Sequence, residues 1–255
     1  MPDPSFSDLV PEFLAEQYAE HPVRSSEMGL TEFDDDLDDL SGAAFERRAA
    51  AAASWRERFA AISDADTTFD EAIDRDLIVG ALTEQAVYDE WRVWERQPDT
   101  YLNPGLDGVF GLFLHRLRPE ERLVRSAISR LRQLPDTLEA GKANLRPELV
   151  PEILLDRAIR QAQAGANYTR NLLPADVAEE HRGELADAGA AAADALEAYA
   201  DFLESLRPAA NGDWTFGEER YDTVLRQAEM LGYGARELRE KGRQQIEELS
   251  GLLRD

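Results

Sequence analysis

Thr68-Phe-Asp-Glu-Ala-Ile-Asp-Arg-Asp-Leu77 opens the stretch that decides the fold class. Thr68 and Glu71 have the capping-box spacing: the threonine oxygen accepts from a backbone N–H one turn on, and the glutamate reaches back to the threonine N–H. Beyond this start signal Ile73, Leu77, Ala81, Glu84, Tyr88, Trp91 and Trp94 fall three or four residues apart, the repeat of one helix face. The spacing predicts one helix from 68 to about 97. At 1.5 Å per residue it would be about 45 Å long, a candidate central strut.

The rest of the chain repeats this pattern, and no segment alternates as a strand would. Phe6, Leu9, Val10, Phe13 and Tyr18 give an amphipathic first helix that Pro22 ends, with His21 at its close. Ser41 is an N-cap candidate for a helix carrying Phe45, Trp55, Phe59 and Ile62, with a helix-favouring alanine run at Ala49–Ala53. Leu106 to Leu117 is apolar enough for a short buried helix. Pro119, Pro135 and Pro151 each stand where a helix would begin, because proline suits the first turn. These starts predict helices at 119–133, 135–144 and 151–172. A helix over 176–206 with a small-residue face from Ala186 to Ala195 follows. Thr215 and Glu218 suggest a second capping box, with closing helices at 216–230 and 234–254. The expectation is an all-α array of roughly nine to ten helices. Long Gly/Ser linkers are scarce, so residues 1–255 read as a single helical domain.

Composition narrows the function classes. Cysteine is absent, which removes disulfides, thiolate catalysis and zinc–cysteine sites. No apolar run approaches the ~20 residues of a membrane span, and Met1–Asp8 lacks the apolar core of a signal peptide, so a cytoplasmic location is expected. The net charge is -24, with 52 Asp and Glu against 28 Lys and Arg, and lysine occurs only at Lys142 and Lys241. Such a surface repels phosphate backbones and anionic lipid, so neither nucleic acid nor membrane is an expected partner.

Chemical motifs are sparse. His21, His115 and His181 are far apart in sequence, and no HExxH helix pairs two of them as zinc ligands. His181-Arg-Gly-Glu184 sets a histidine and a carboxylate on one face, a common surface arrangement. Asp34 to Asp39 reads as a solvated acidic loop; counted as an EF-hand from Asp34, position 6 is Asp39 and position 12 is Phe45, where glycine and glutamate are needed. Gly105, Gly108 and Gly111 lack the dinucleotide spacing and suit helix packing. The chain therefore offers no catalytic residue and no metal ligand. The last helix carries Leu238, Ile246, Leu249, Leu252 and Leu253 on or near one face without a stop signal, an apolar stripe that needs a partner. It packs within its own domain, pairs in a homodimer, or receives a C-terminal continuation.

Four segments, taken in order, carry a family likeness. They are His21-Pro22 with Met28-Gly29-Leu30; Asp74-Arg75-Asp76 with Pro98-Asp-Thr-Tyr101; Arg130-Leu-Arg-Gln-Leu-Pro135 with Ala143-Asn144-Leu145; and Phe216-Gly217-Glu-Glu-Arg-Tyr221 with Leu225. Together they resemble the bacterial and archaeal family catalogued as domain of unknown function number eight-eight-five. The resemblance implies a mostly helical protein of roughly twice this length, similar to gluzincin-type metallopeptidases, whose HExxH motif and zinc lie in the C-terminal half. On that reading this chain is the N-terminal, cleft-forming portion, inactive alone, and the whole protein takes a peptide substrate. Motif position then marks Tyr221, Gly217 and Tyr101 as substrate-binding candidates. The alternative is a stand-alone acidic helical module for binding or self-association.

The acidity itself is testable. A high-GC genome favours arginine over lysine, whereas a salt-rich cytosol favours excess carboxylates that self-repel until screened. Under salt adaptation the melting temperature rises between low and molar KCl; a flat response removes salt adaptation as the explanation.

Overall fold

A computed structural model gives the fold, described for residues 5–253 without the His115 side chain. It is 81% helical and has no strand among the described residues. In chain order the helices are α1 (Phe6–Glu20), α2 (Pro22–Glu27), α3 (Gly42–Ala60), α4 (Phe69–Glu90), α5 (Val93–Arg96), α6 (Asn103–His115), α7 (Glu120–Asn144), α8 (Glu152–Asn167), α9 (Leu173–Ala175), α10 (Arg182–Leu206), α11 (Glu218–Thr223) and α12 (Ala235–Leu252). Wide π-type turns follow α8, at Tyr168–Leu172, and α11, at Val224–Ala228. No described helix is long and apolar enough to cross a membrane. The helices gather into two compact units: one holds Glu12–Arg48 and Val93–Trp214, the other the chain up to Pro11, Ala49–Arg92 and the chain from Thr215.

In the unit holding Val93–Trp214, α10 packs along α7 and α8. Its Ala188, Ala192 and Ala193 are buried, and Leu196, Tyr199 and Leu203 continue the same face. Gly189 shows why small residues are needed: a Cβ there would lie 2.2 Å from the Thr169 carbonyl oxygen. The opposite side of α7 receives the acidic segment, which is not the solvated loop its composition predicts. Asp34 is 3% exposed, and Leu37 and Leu40 join the core. Five side chains of α7 hold the segment down. The Asp35 carboxylate accepts from Ser126 Oγ at 2.6 Å and Arg122 at 2.9 Å. Gln133 donates to the Asp35 carbonyl at 2.8 Å and accepts from the Leu37 N–H at 3.1 Å. Asn144 donates to the Leu40 carbonyl at 2.9 Å.

Arg130 makes the deepest of these contacts. It is 1% exposed, and its guanidinium donates to the Phe33 carbonyl at 3.1 Å, the Asp36 carbonyl at 3.1 Å and the Gly108 carbonyl of α6. Burial lowers its pKa, while Asp34, Asp38, Glu27 and Asp36 pull it back up. Loss of a solvating shell is thus offset by carbonyls and nearby carboxylates.

Pro119 and Pro151 are N-caps of α7 and α8, as expected. Pro135, in contrast, lies inside α7, and the predicted break between 133 and 135 is absent. Leu131, Leu134 and Leu138 are each at most 1% exposed around it. Their burial outweighs the one hydrogen bond that proline removes.

In the other unit Phe6 stacks edge-on against Phe59 of α3 at 5.9 Å, with Leu9, Ala52 and Trp55 buried. The Thr68–Glu71 capping box forms as predicted: Thr68 Oγ1 accepts from the Glu71 N–H at 3.3 Å and Glu71 accepts from the Thr68 N–H at 2.8 Å. The helix it starts is shorter than the spacing implies. It ends at Glu90, because Arg92 takes a left-handed φ of 58°, and α7 and α10, at 25 residues each, are the longest helices. Nor does it bury the predicted face: Ile73 and Leu77 are 44% and 55% exposed, and Gly80, Leu82, Thr83 and Val87 are buried instead. Gly80 permits this, since a Cβ would meet the Ala228 carbonyl oxygen at 2.8 Å. The second helix start lies two residues beyond Thr215. Gly217, at φ 88°, is the N-cap of α11, with no side-chain cap. His21 separates α1 from α2 as a backbone hinge, its Nδ1 3.6 Å from Asp38, and the predicted helix at 176 begins at Arg182.

Replacing Arg130 by Met would strand three carbonyl acceptors and uncover the nearby carboxylates. We expect a loss of about 3–5 kcal/mol in urea unfolding, whereas Arg132→Met, on the exposed face of the same helix, leaves the midpoint unchanged.

Candidate functional site

A broad concavity follows one face of α7. Val124 and Ile128, 5% and 7% exposed, form its floor, and Glu121, Arg125, Arg132 and Asp136 recur along it at helical spacing. Asp35, from the pinned segment, closes one side. The turn Glu179–His181 and the start of α10 supply Glu180, His181 and Glu184 on the other. The groove has a volume of about 690 Å³, within the usual range of ligand sites.

Its electrostatics are one-sided. Both arginines are already engaged, Arg125 with Glu121 at 3.2 Å and Arg132 with Glu184 at 2.6 Å. Asp35 is held by Ser126 and Arg122. Asp136 and Glu180, the latter 3.8 Å from His181 Nε2, face the groove beside these pairs. The histidine–carboxylate pair suggested by His181-Arg-Gly-Glu184 does not form. Glu184 turns to Arg132, and His181 Nε2 lies 3.8 Å from Glu180 instead. A second, wider trough of about 530 Å³ runs along α11 in the other unit, where Glu218, Glu219 and Asp222 meet Arg226 and Arg236.

The three residues marked by motif position fare differently. Tyr101 is fully buried, its hydroxyl donates to the Trp94 carbonyl at 2.6 Å, and burial pushes its pKa well above the phenol range. A committed, inaccessible hydroxyl cannot touch substrate, so Tyr101 is a core residue. Gly217 and Tyr221 lie in the other unit, one turn apart, with the Tyr221 N–H donating to the Gly217 carbonyl at 3.1 Å. Tyr221 is 42% exposed and so remains open to a ligand. Gly217 is required by its own backbone, since φ 88° with ψ 148° is a region that essentially only glycine enters.

The family-bearing segments are mostly structural. Arg75 bonds the Ile62 carbonyl at 2.9 Å and Asp64 at 2.7 Å, Arg130 and Asn144 hold the acidic segment, and Phe216 packs against Tyr88 and Trp91. Neither the groove nor Asp136 and Glu180 could be singled out in a chain where carboxylates are everywhere. The sequence signals nearby were the proline start at 119 and the acid run at Asp34.

A zinc ion is the metal the family resemblance implies, and the donors here do not fit one. Among the described residues no three His, Cys, Asp or Glu side chains converge. His21 approaches Asp38 at 3.6 Å and His181 approaches Glu180 at 3.8 Å.

An all-α array with an acid-rimmed groove is what fold and site define. The chain belongs to the family of bacterial proteins of unknown function termed DUF885, whose profile matches residues 22–254. A solved structure from Shewanella oneidensis, described as a lipoprotein of unknown function, is similar over 97% of this chain with a TM-score of 0.80 at 19% identity. The match covers 46% of that chain, so this chain spans about half the length of its solved neighbour. Comparison with curated proteins finds no match.

Two substitutions separate the roles above. Tyr101→Phe leaves the buried Trp94 carbonyl without its donor and should cost about 1–3 kcal/mol in chemical unfolding. Tyr221→Phe should leave the unfolding midpoint unchanged.

Proposed function

We propose that this chain is the groove-bearing helical portion of a longer, zinc-metallopeptidase-like protein, with a cytoplasmic location. Here it binds peptide and contributes no catalytic group. The observation that carries the reading is the groove along α7, whose engaged arginines leave Asp136 and Glu180 to face a ligand. Those charges favour a segment bearing lysine or arginine over an acidic one. The match to about half of a longer solved chain supports placing the peptide-cleaving chemistry outside these residues. Zinc, when bound by such a protein, would activate a water for attack on the peptide bond.

A non-catalytic binding module is the second reading. The exposed apolar side chains of α12 favour it: Ile246, Leu249, Leu252 and Leu253 are 59–88% exposed.

Fluorescence anisotropy with a lysine-rich peptide and its glutamate counterpart tests the groove. We expect the lysine-rich peptide alone to bind. Asp136→Asn with Glu180→Gln should weaken it by at least about five-fold, given roughly 0.5 kcal/mol or more per desolvated charge contact. Equal binding of both peptides would sink the groove assignment. Zinc-dependent hydrolysis by the purified 255-residue chain would show that the chemistry had been placed in the wrong part of the protein.

A further inference from the structure

Among the described residues, His181 is the one histidine that lines the groove along α7. It closes the single turn Glu179–His181 just before α10, and that turn is fixed on both sides. The Ala178 N–H donates to Glu120 of α7 at 2.7 Å, and Arg182 Nε donates to the Val177 carbonyl at 3.0 Å. Val177 and Leu185, which flank the turn, are fully buried. The imidazole is 23% exposed and so is held at the groove wall, with Nε2 3.8 Å from a carboxylate oxygen of Glu180.

Charged groups surround this ring on every side. The pinned segment supplies Asp35, α7 supplies Glu121, Arg125, Arg132 and Asp136, and α10 supplies Glu184. Behind the turn, Glu120 and Asp176 share Arg116 at 3.5 and 2.9 Å, Arg182 points to backbone carbonyls, and Glu179 is exposed. With Glu180 included, five carboxylates and two guanidiniums line the groove, so the lining carries -3 with a neutral imidazole and -2 with a protonated one. Histidine is the side chain that ordinarily changes charge between pH 5 and 8. A proton gained at His181 therefore lands beside Glu180, where the imidazolium takes up that carboxylate and repels an incoming cation.

We propose that His181 is a proton switch on the groove: neutral, it leaves Glu180 to a cationic peptide segment; protonated, it pairs with Glu180 and loosens the hold on that segment. This regulation rests on the peptide-binding reading of the groove. Its sign is fixed by charge alone. Binding is tight in neutral solution and weakens as pH falls, and by linkage the bound peptide drives the proton off His181.

Anisotropy with an N-acetylated lysine-rich peptide, whose charge is constant over the range, tests the switch at about pH 8 and about pH 5.5. Affinity should fall about three- to ten-fold at the lower pH, as expected for one unit charge about 6 Å away at an effective dielectric constant of about 40–80. Circular dichroism at both pH values checks that the fold is intact. In His181→Gln the ratio of the two affinities should collapse towards one, whatever the affinity at pH 8, and His181→Asn serves if the first variant loses helix. Calorimetry of the unaltered chain at about pH 6.5, in two buffers of different ionisation heat, should show proton release on binding. Peptide binding that is equal at both pH values, without proton release, overturns the switch and leaves the groove reading standing. A pH ratio that survives in the histidine variants overturns the assignment to His181. Absence of binding at either pH overturns the groove reading and the switch with it.

Discussion

A single buried cation organises the unit that carries the groove. Arg130 reaches from α7 to three backbone carbonyls, two in the acidic segment and one in α6. Carbonyls of an irregular segment have no helix to satisfy them, and water is excluded where Leu37 and Leu40 enter the core. A planar guanidinium with five donors can serve several such acceptors at once; lysine, with a compact point charge, cannot match that geometry. The carboxylates of Glu27, Asp34, Asp36 and Asp38 then act as a diffuse counter-charge that keeps the buried cation ionised. What looks in sequence like surplus acidity is, in this segment, part of the fold.

The groove depends on the same device. Its floor is one face of α7 and its closing residue, Asp35, is held where it is by Ser126 and Arg122 of that helix. The helix thus supplies the anchor on one side and the binding face on the other. Because Arg125 and Arg132 are neutralised by Glu121 and Glu184, the groove keeps the negative sign of the chain as a whole.

Helix content was legible because it rests on local signals. The Thr68–Glu71 box, the Ser41 cap, with Ser41 Oγ accepting from the Ala44 N–H at 3.2 Å, and the proline starts at 119 and 151 all act within one turn. Misreadings came where tertiary packing outweighs local preference. Pro135 stays inside a helix because leucines on both sides are buried, and Ile73 and Leu77 are exposed because Gly80 lets the backbone of Ala228 approach a different face. Tyr101 looked like a polar tip in a motif, but its hydroxyl closes a backbone carbonyl. The groove was not legible at all, since its acids differ from their many neighbours only in what the arginines beside them are doing.

Excess carboxylate also explains how an exposed apolar helix can be tolerated. A chain of charge -24 repels its copies at long range, which suppresses the indiscriminate association that four exposed aliphatic side chains would otherwise invite.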